Sequence, residues 1–445
     1  MKVIVVGAGL SGLAAAYKLQ QAGCDVTVLE AGDRAGGRCA SFRRDGFLVD
    51  TGPEIIAGTY QRYLALVKAM GLEGQLVHSS PVVGSVRGGR VVDNDTTKPL
   101  AMAFTPLLSW SAKLRLARGL RRVWSVASKL DAYGMADHAE HDHATVTAQD
   151  KALELFGSEV TEYLIDPLVR MIGGAGPSRI SQLLMLGGLS SWSAPLMNLR
   201  GGLDTLPKAL AERVRVQYRA QVTRLEATPS GVTVRVRDGQ GAEHTQSADR
   251  CVIACRFDDA LAFSPWLVEV GGAYGARLQP AKLIDIKVAY AAPTRSKAFA
   301  CQVPTAEDRE LLMYALTHNK APDRAPSGHS LFTLYTDDGV FDELAPQSDE
   351  VLIDWARRRM EAWYPEVKGH FRFGHVGRYP RAGYRADPGY FIRTAEFMRR
   401  VPADSPIQVG GDVFGAGSME AAVLWGERAA ERLLAPATAT AKQAA

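Results

Sequence analysis

Three glycines pose the first chemical question. Gly7, Gly9 and Gly12 stand in KVIVVGAGLSGLAAAYKLQ, residues 2–20, after an apolar β-branched run and before a run with helical spacing. In a strand–turn–helix unit this GxGxxG spacing has a physical meaning. Gly7 permits a tight turn, Gly9 lets a pyrophosphate approach the backbone, and Gly12 lets helix and strand pack closely. Phosphate then sits at the helix N-terminus, at Leu10 and Ser11, where free N–H groups and the dipole favour negative charge. Glu30 closes the next strand, DVTVLE, where an acid accepts hydrogen bonds from ribose hydroxyls. Ala31 follows it, and EAGDRAGGRCAS (30–41) adds Gly36, Gly37 and Arg38. A guanidinium beside a Gly-Gly bend can reach a pyrophosphate in a bidentate way. The pattern predicts dinucleotide binding without separating nicotinamide from flavin. A tight β–α turn with no ligand would leave Glu30 unexplained.

The stretch GAGLSGLAAAYKLQQAGCDVTVLEAGDRAGGR resembles the N-terminal signature of the flavin-dependent amine oxidase superfamily. That group includes monoamine and polyamine oxidases, protoporphyrinogen oxidase and the phytoene-type desaturases. The resemblance runs through the chain and is strong at its two ends. It implies FAD as cofactor. No cysteine lies in 378–390, where a covalent flavin link would arise, so a non-covalent FAD is expected. FAD is long, and its ribityl chain and flavin need a second support. A second glycine-rich approach to a helix, GGDVFGAGSMEAAVLWGERAAERLL (410–434), offers one. Gly411 and Asp412 follow a strand there, and Asp412 can accept bonds from ribityl hydroxyls. The helix N-terminus can face the flavin edge that gains negative charge on reduction. By the resemblance, Asp412 and Met419 stand at contact positions, as do Gly52, Pro53 and Glu54 of DTGPEI (50–55). Val222 matches the position whose backbone meets the adenine.

The reaction is less legible. The resemblance places Ser418 where an amine oxidase carries a cage tyrosine, and Asp285 where it carries a flavin-side lysine. In KLIDIKVAY (282–290), Asp285 and Lys287 share one strand face, and Ile284, Ile286, Val288 and Tyr290 share the other. Asp285 and Lys287 are candidates for an acid–base pair, or else an ion pair on a wet sheet face. The segments 144–181 and GRYPRAGYRADPGY (377–390) resemble protoporphyrinogen oxidase and the desaturases. There Tyr384 is a catalytic candidate, and Arg381 and Tyr390 are candidates for substrate binding, with loop anchoring as the alternative. The leading expectation is hydride transfer to flavin N5 from a C–H bond of a small hydrophobic or cyclic substrate, forming C=C. Oxygen or another acceptor would reoxidise the flavin. An amine oxidase with an altered cage, and a non-redox flavin isomerase or FAD-binding protein, are the alternatives.

These residues need elements to position them. The runs 2–6, 25–30 and 407–411 read as buried strands, 214–255 as further strands, and 418–434 as a helix. The expected fold is therefore α/β. A Rossmann-like FAD-binding domain (1–80, 200–262 and 395–434) has a parallel sheet assembled from three chain segments. An inserted α+β substrate domain takes 81–199 and 263–394, and 435–445 is a disordered tail. Between 107 and 190 the pattern is helical. The stretch LLSWSAKLRLARGLRRVWSVASKL (107–130) carries six Lys or Arg and no acid. Its expected inner stripe is Trp110, Leu114, Ala117, Leu120, Val123, Ala127 and Leu130. Either it covers the substrate domain, or it touches an anionic membrane surface.

At 445 residues two domains are expected, and a net charge of +4 argues against a dedicated nucleic-acid binder. Five scattered cysteines suggest neither disulfides nor zinc and fit a cytoplasmic setting. HAEHDH (138–143) reads as a solvated loop, and no metal is expected. No apolar run is long enough to span a bilayer. The oligomeric state is left open.

Overall fold

A computed structural model describes residues 1–98, 104–190, 194–415 and 417–435. Its first layer is a five-stranded parallel sheet. The order across it is Arg215–Gln217, Asp25–Leu29, Lys2–Val6, Arg250–Ile253, Ile407–Val409. The strands come from the start, the middle and the end of the chain. They are apolar on both faces because both faces are covered. Val3, Val5, Val26 and Val28 point to one hydrophobic cluster, and Ile4, Val6, Leu29 and Ile253 to another. The helix Leu10–Gln21 lies in the first cluster. The helix Met419–Leu434 contributes Met419, Val423 and Leu433 to the first and Ala421, Leu424 and Trp425 to the second. The strands Gln221–Thr228, Gly231–Arg237 and Glu243–Ala248 form an antiparallel flap beside this sheet.

The second layer is a seven-stranded sheet. Its order is Phe371–Tyr384, Pro280–Tyr290, Ser330–Thr336, Leu311–Leu316, Ala300–Gln302, Val82–Arg87, Arg90–Asp95. The alternation read at 282–290 is realised. Ile284, Ile286, Val288 and Tyr290 pack with Leu352, Trp355 and Met360 of the helix Asp349–Trp363. A small sheet, with Leu196–Leu199 between Ile56–Ala57 and Leu76–His78, runs along the seam.

A third layer is helical: Trp110–Ala127, Ala148–Phe156, Asp166–Gly173 and Gln182–Ser190. The face expected for the first of these is corrected. Its buried residues are Ala112, Gly119, Val123 and Ala127, whereas Trp110 and Leu114 are exposed. Gly119 explains the turn of the helix. A Cβ there would lie 2.3 Å from the Phe156 ring, so the two helices meet at backbone distance. No helix among the described residues is long and apolar enough to cross a membrane. The tail expectation falls, from 436 onward, outside the described residues.

Candidate functional site

The first glycine cluster forms the turn its spacing requires. Gly7 has φ +104°, and its N–H donates to the Leu29 carbonyl (2.8 Å). A Cβ on Gly12 would stand 1.9 Å from the Gly7 oxygen, so only glycine lets this helix lie against its own turn. A Cβ on Gly9 would meet nothing within 4 Å. The protein leaves open space at the one glycine whose spacing assigns it to a ligand. Gly9 begins the helix without a side-chain cap, and Leu10 and Ser11 form its buried first turn. The Ser11 hydroxyl is buried with no hydrogen-bond partner. An uncapped helix tip, an orphaned hydroxyl and a Cβ-sized gap together fit a pyrophosphate.

Glu30 braces the same turn, accepting from Ala8 N (2.7 Å) and, past Ala31, from Gly32 N (2.8 Å). Two bonds leave a carboxylate further acceptor capacity for a ribose. Gly36 N donates to the Ala8 carbonyl (2.8 Å), and Gly37 has φ +56° with its α-carbon side against Gly9. Val222 sits in the antiparallel flap, buried in the second cluster.

The second glycine cluster is delivered onto the first. A Cβ on Gly426 would lie 2.1 Å from the Ser11 carbonyl oxygen, and one on Gly410 would lie 3.1 Å from the Ser11 hydroxyl. The two helices therefore touch through backbone, the tip of the first against the middle of the last, about 10 Å along the helix from Met419. Gly411 has φ +134°. Asp412, next to it, accepts from Arg38 Nη2 (2.6 Å), while Arg38 Nη1 donates to the Ala382 carbonyl (3.0 Å). The Asp412 charge raises the Arg38 guanidinium above its already high ordinary pKa. Arg38 thus links the two clusters directly. Met419 is buried at the start of the last helix, and Ser418 caps it, accepting from Ala421 N (3.1 Å).

Beneath this region lies a buried charge network. Gly52 is held so close to the Arg38 carbonyl that a Cβ would come within 2.0 Å of it. On either side of Gly52 and Pro53 stand Asp50 and Glu54, both bound by one lysine. Lys320 Nζ is 2.8 Å from Asp50 Oδ2 and 2.6 Å from Glu54 Oε2. Asp50 also accepts from Arg324 Nε (3.0 Å) and from the Ser41 hydroxyl (2.6 Å). Burial alone would raise the Asp50 carboxyl. The Lys320 and Arg324 cations overcome this and hold it well below the usual carboxylate range. The Tyr335 hydroxyl donates to Glu54 Oε1, and burial with the Glu54 charge pushes its phenol far up.

Sequence reasoning missed Lys320 and Tyr335. Lys320 lies in a turn, THNKAPDR, with no local sign of its distant partners.

Asp285 and Lys287 do share a face and form a direct ion pair. The wet-face alternative is corrected: their side chains are 1% and 0% exposed. They lie one layer beneath the 50–54 segment. Tyr379 bridges the layers, donating to the Thr51 carbonyl (3.2 Å). Burial and then the Asp285 charge push its phenol up.

Three other candidates stand away from Asp285, on segments that adjoin the Arg38–Asp412 link. Tyr384 pairs across the sheet with Pro280, five residues from Asp285, which is roughly 17 Å along a strand. Its hydroxyl donates to Asp258, and the Arg256 guanidinium covers its ring at 4.7 Å. Burial would raise Asp258, but Tyr384, Arg256 and Arg381 bring it down to about 2. Arg381 binds Asp258 (3.0 Å) and Asp259 (2.6 Å), so its charge is already matched. Tyr390 is buried, and its hydroxyl donates to the Val413 carbonyl (2.5 Å). These contacts describe anchors of the strand Phe371–Tyr384 and of the helix Tyr390–Arg400 after it.

Beside Glu54 the wall is apolar. Phe299, Ala300, Leu312, Met313 and Tyr335 form a small cluster with Ile55, Met171 and Leu196 packed on it. In 138–143, Asp142 accepts from Ser181 Oγ (2.5 Å) and Phe391 N (3.0 Å), which fastens the loop. No group of three metal-ligating side chains is assembled among the described residues.

A parallel sheet with a GxGxxG turn, joined through Arg38 and Asp412 to a second glycine-rich helix entry, defines a dinucleotide-binding protein. The chain belongs to the flavin containing amine oxidoreductase family, whose model matches residues 10–434. Protoporphyrinogen oxidase 2 of Arabidopsis thaliana is 32% identical over 186 residues, 40% of this chain and 34% of that protein. Phytoene dehydrogenase of Streptomyces griseus is 28% identical over 262 residues, 53% of this chain and 51% of that one. The alignments thus span about a third to a half of these relatives. Among solved structures, a redesigned putrescine oxidase matches with TM-score 0.81 at 18% identity, over 97% of this chain and 98% of that one. That likeness concerns the fold.

Proposed function

We propose that this FAD-dependent oxidoreductase dehydrogenates a small hydrophobic or cyclic substrate, removing two hydrogens from adjacent atoms to form a C=C or ring C=N bond. One observation carries the reading. The wall beside the 50–54 segment is apolar, and the three acids nearest it described above are each matched by a buried cation: Asp50 and Glu54 by Lys320, Asp285 by Lys287. An ammonium substrate would find no unmatched carboxylate there. Ser418 acts as a helix cap at the position where the family resemblance expects an aromatic cage for an amine. The names of the aligned relatives, a porphyrinogen oxidase and a phytoene dehydrogenase, fit the same chemistry.

FAD, when bound, supplies the acceptor for one hydrogen as hydride, and dioxygen or another oxidant later withdraws the two electrons. The second hydrogen leaves as a proton, and Glu54 at the edge of the apolar wall is its acceptor: its charge is matched by Lys320, yet each of its oxygens keeps a free lone pair. Lys320 and Tyr335 fix that carboxylate in place. The remaining wall excludes water and orients the substrate by shape.

The test is anaerobic mixing of the yellow protein with a porphyrinogen, a carotene, a cyclic ketone and a primary amine. Bleaching by one of the first three, and not by the amine, is the expected result. Bleaching by the amine alone overturns the reading, as does product formation without bleaching, which is the mark of an isomerase. With the active donor, Glu54→Gln should keep the bound-flavin spectrum and slow bleaching on the order of 100-fold.

A further inference from the structure

The helix Trp110–Ala127 is held firmly on one side and left bare on the other. Its inner face is fixed by Ala112, Gly119, Val123 and Ala127 against the helical layer. Its outer face presents Trp110 at 68% exposure, Leu114 at 54% and Trp124 at 54%, with Phe104 beside them at 69%. At 100° per residue, positions 110, 114, 117, 121 and 124 fall within about 80° of one another. These are one stripe. Phe104 and Trp110 meet edge to face, 6.0 Å between centroids. Among the described residues, the four most exposed large apolar side chains are thus gathered on one short segment, which a monomer in water does not need.

The charges carried by the segment itself have one sign, and the acid at its start, Glu159 on Ser109, is matched by Arg87. Arg115, Arg118, Arg122 and Lys129 lie along one flank, Lys113 on the other and Arg121 within it. The segment 107–130 contains no acid. Lys113 sits over the Trp110 ring at 4.4 Å. Among the described residues none of these six cations makes an ion pair. The nearest pairs along the chain, Lys98–Asp95 and Arg428–Asp137, belong to other residues. The whole chain carries only +4, so the rest of it is slightly acidic. The positive charge is therefore local to the exposed aromatic stripe.

From this we infer that the helix Trp110–Ala127 docks the enzyme on an anionic lipid bilayer. Trp110, Leu114, Trp124 and Phe104 enter the interfacial region, while the flanking arginines and lysines meet lipid phosphates. Indole and phenyl rings suit the headgroup boundary, and guanidinium groups pair with phosphate in a bidentate way. A second copy of the chain fits poorly. A two-fold contact through this face would set six cations against six. Nucleic acid would use the cations but leave the aromatic stripe in water. The inference does not depend on which bond the flavin oxidises.

Flotation of the FAD-loaded full chain with vesicles tests it. Binding is expected to phosphatidylglycerol vesicles, with a blue shift of tryptophan emission, and to be absent with phosphatidylcholine alone. Exchanging Arg118, Arg121 and Arg122 for Glu should weaken partitioning on the order of 100-fold. Trp110→Ser with Trp124→Ser should weaken it about tenfold or more. Because all five positions are exposed, melting temperature and flavin spectrum should stay unchanged. Three results overturn the inference: no flotation with the anionic vesicles; duplex DNA bound as tightly as they are; or a dimer that the Trp variants dissolve.

Discussion

The two glycine-rich approaches to helices look alike in sequence and work differently in the fold. At the first, constraint and opening lie within a few residues. Gly12 is forced by its own turn, and Gly9 borders empty space. At the second, the constraint comes from the other end of the chain. Gly426 and Gly410 are glycines because Ser11 lies against them. The first site is a local motif that builds a phosphate cradle. The second is a tertiary joint that seats the middle of the last helix on that cradle and leaves its own tip about 10 Å away.

Four experiments sharpen or break this contrast. The largest effect is expected at the two forced positions. Gly12→Ala and Gly426→Ala each push a methyl into a backbone oxygen that cannot move aside. Each should cost about 3 kcal/mol or more in urea unfolding and abolish FAD retention. If Gly426→Ala unfolds like wild type, the joint is looser than described. Next is Gly9→Ala, where the apoprotein should melt normally and FAD should bind about tenfold more weakly, about 1.4 kcal/mol. Normal FAD affinity in this variant would remove the cradle from the gap. Third, Ser418→Ala removes the cap of the last helix and should cost about 1 kcal/mol of stability. Smallest is the link between the clusters. A double-mutant cycle with Arg38→Ala and Asp412→Asn should give a coupling below about 1 kcal/mol, since Arg38 is half-exposed.

The same contrast explains what the sequence could reveal. Gly7, Gly9, Gly12 and Glu30 were readable because a βα turn encodes its geometry within about 25 residues. The three-piece parallel sheet followed from apolar runs at 2–6, within 214–255, and at 407–411. The strand Leu311–Leu316 escaped notice because it is buried on both faces and shows no alternation. The helix at 110–127 was turned the wrong way, since Trp110 and Leu114 look like core and Gly119 does not. Lys320 gave no signal at all. A lone lysine in a polar turn resembles solvated surface, and Asp50 and Glu54 lie far away in the chain. At 377–390, Arg381 and Tyr390 had the right chemistry for a ligand, but Asp258, Asp259 and the Val413 carbonyl had already taken it.

The docking of the last helix on the first has a consequence for biosynthesis. A nascent chain can form the opening βαβ unit soon after leaving the ribosome, yet that unit lacks the edge strand Ile407–Val409 and the helix that rests on Ser11. Flavin capture should therefore wait for translation of residues 407–434, so that the yellow colour reports a chain made at least that far. Ribosome-stalled chains ending before Ile407 would emerge colourless, however well their earlier parts had folded.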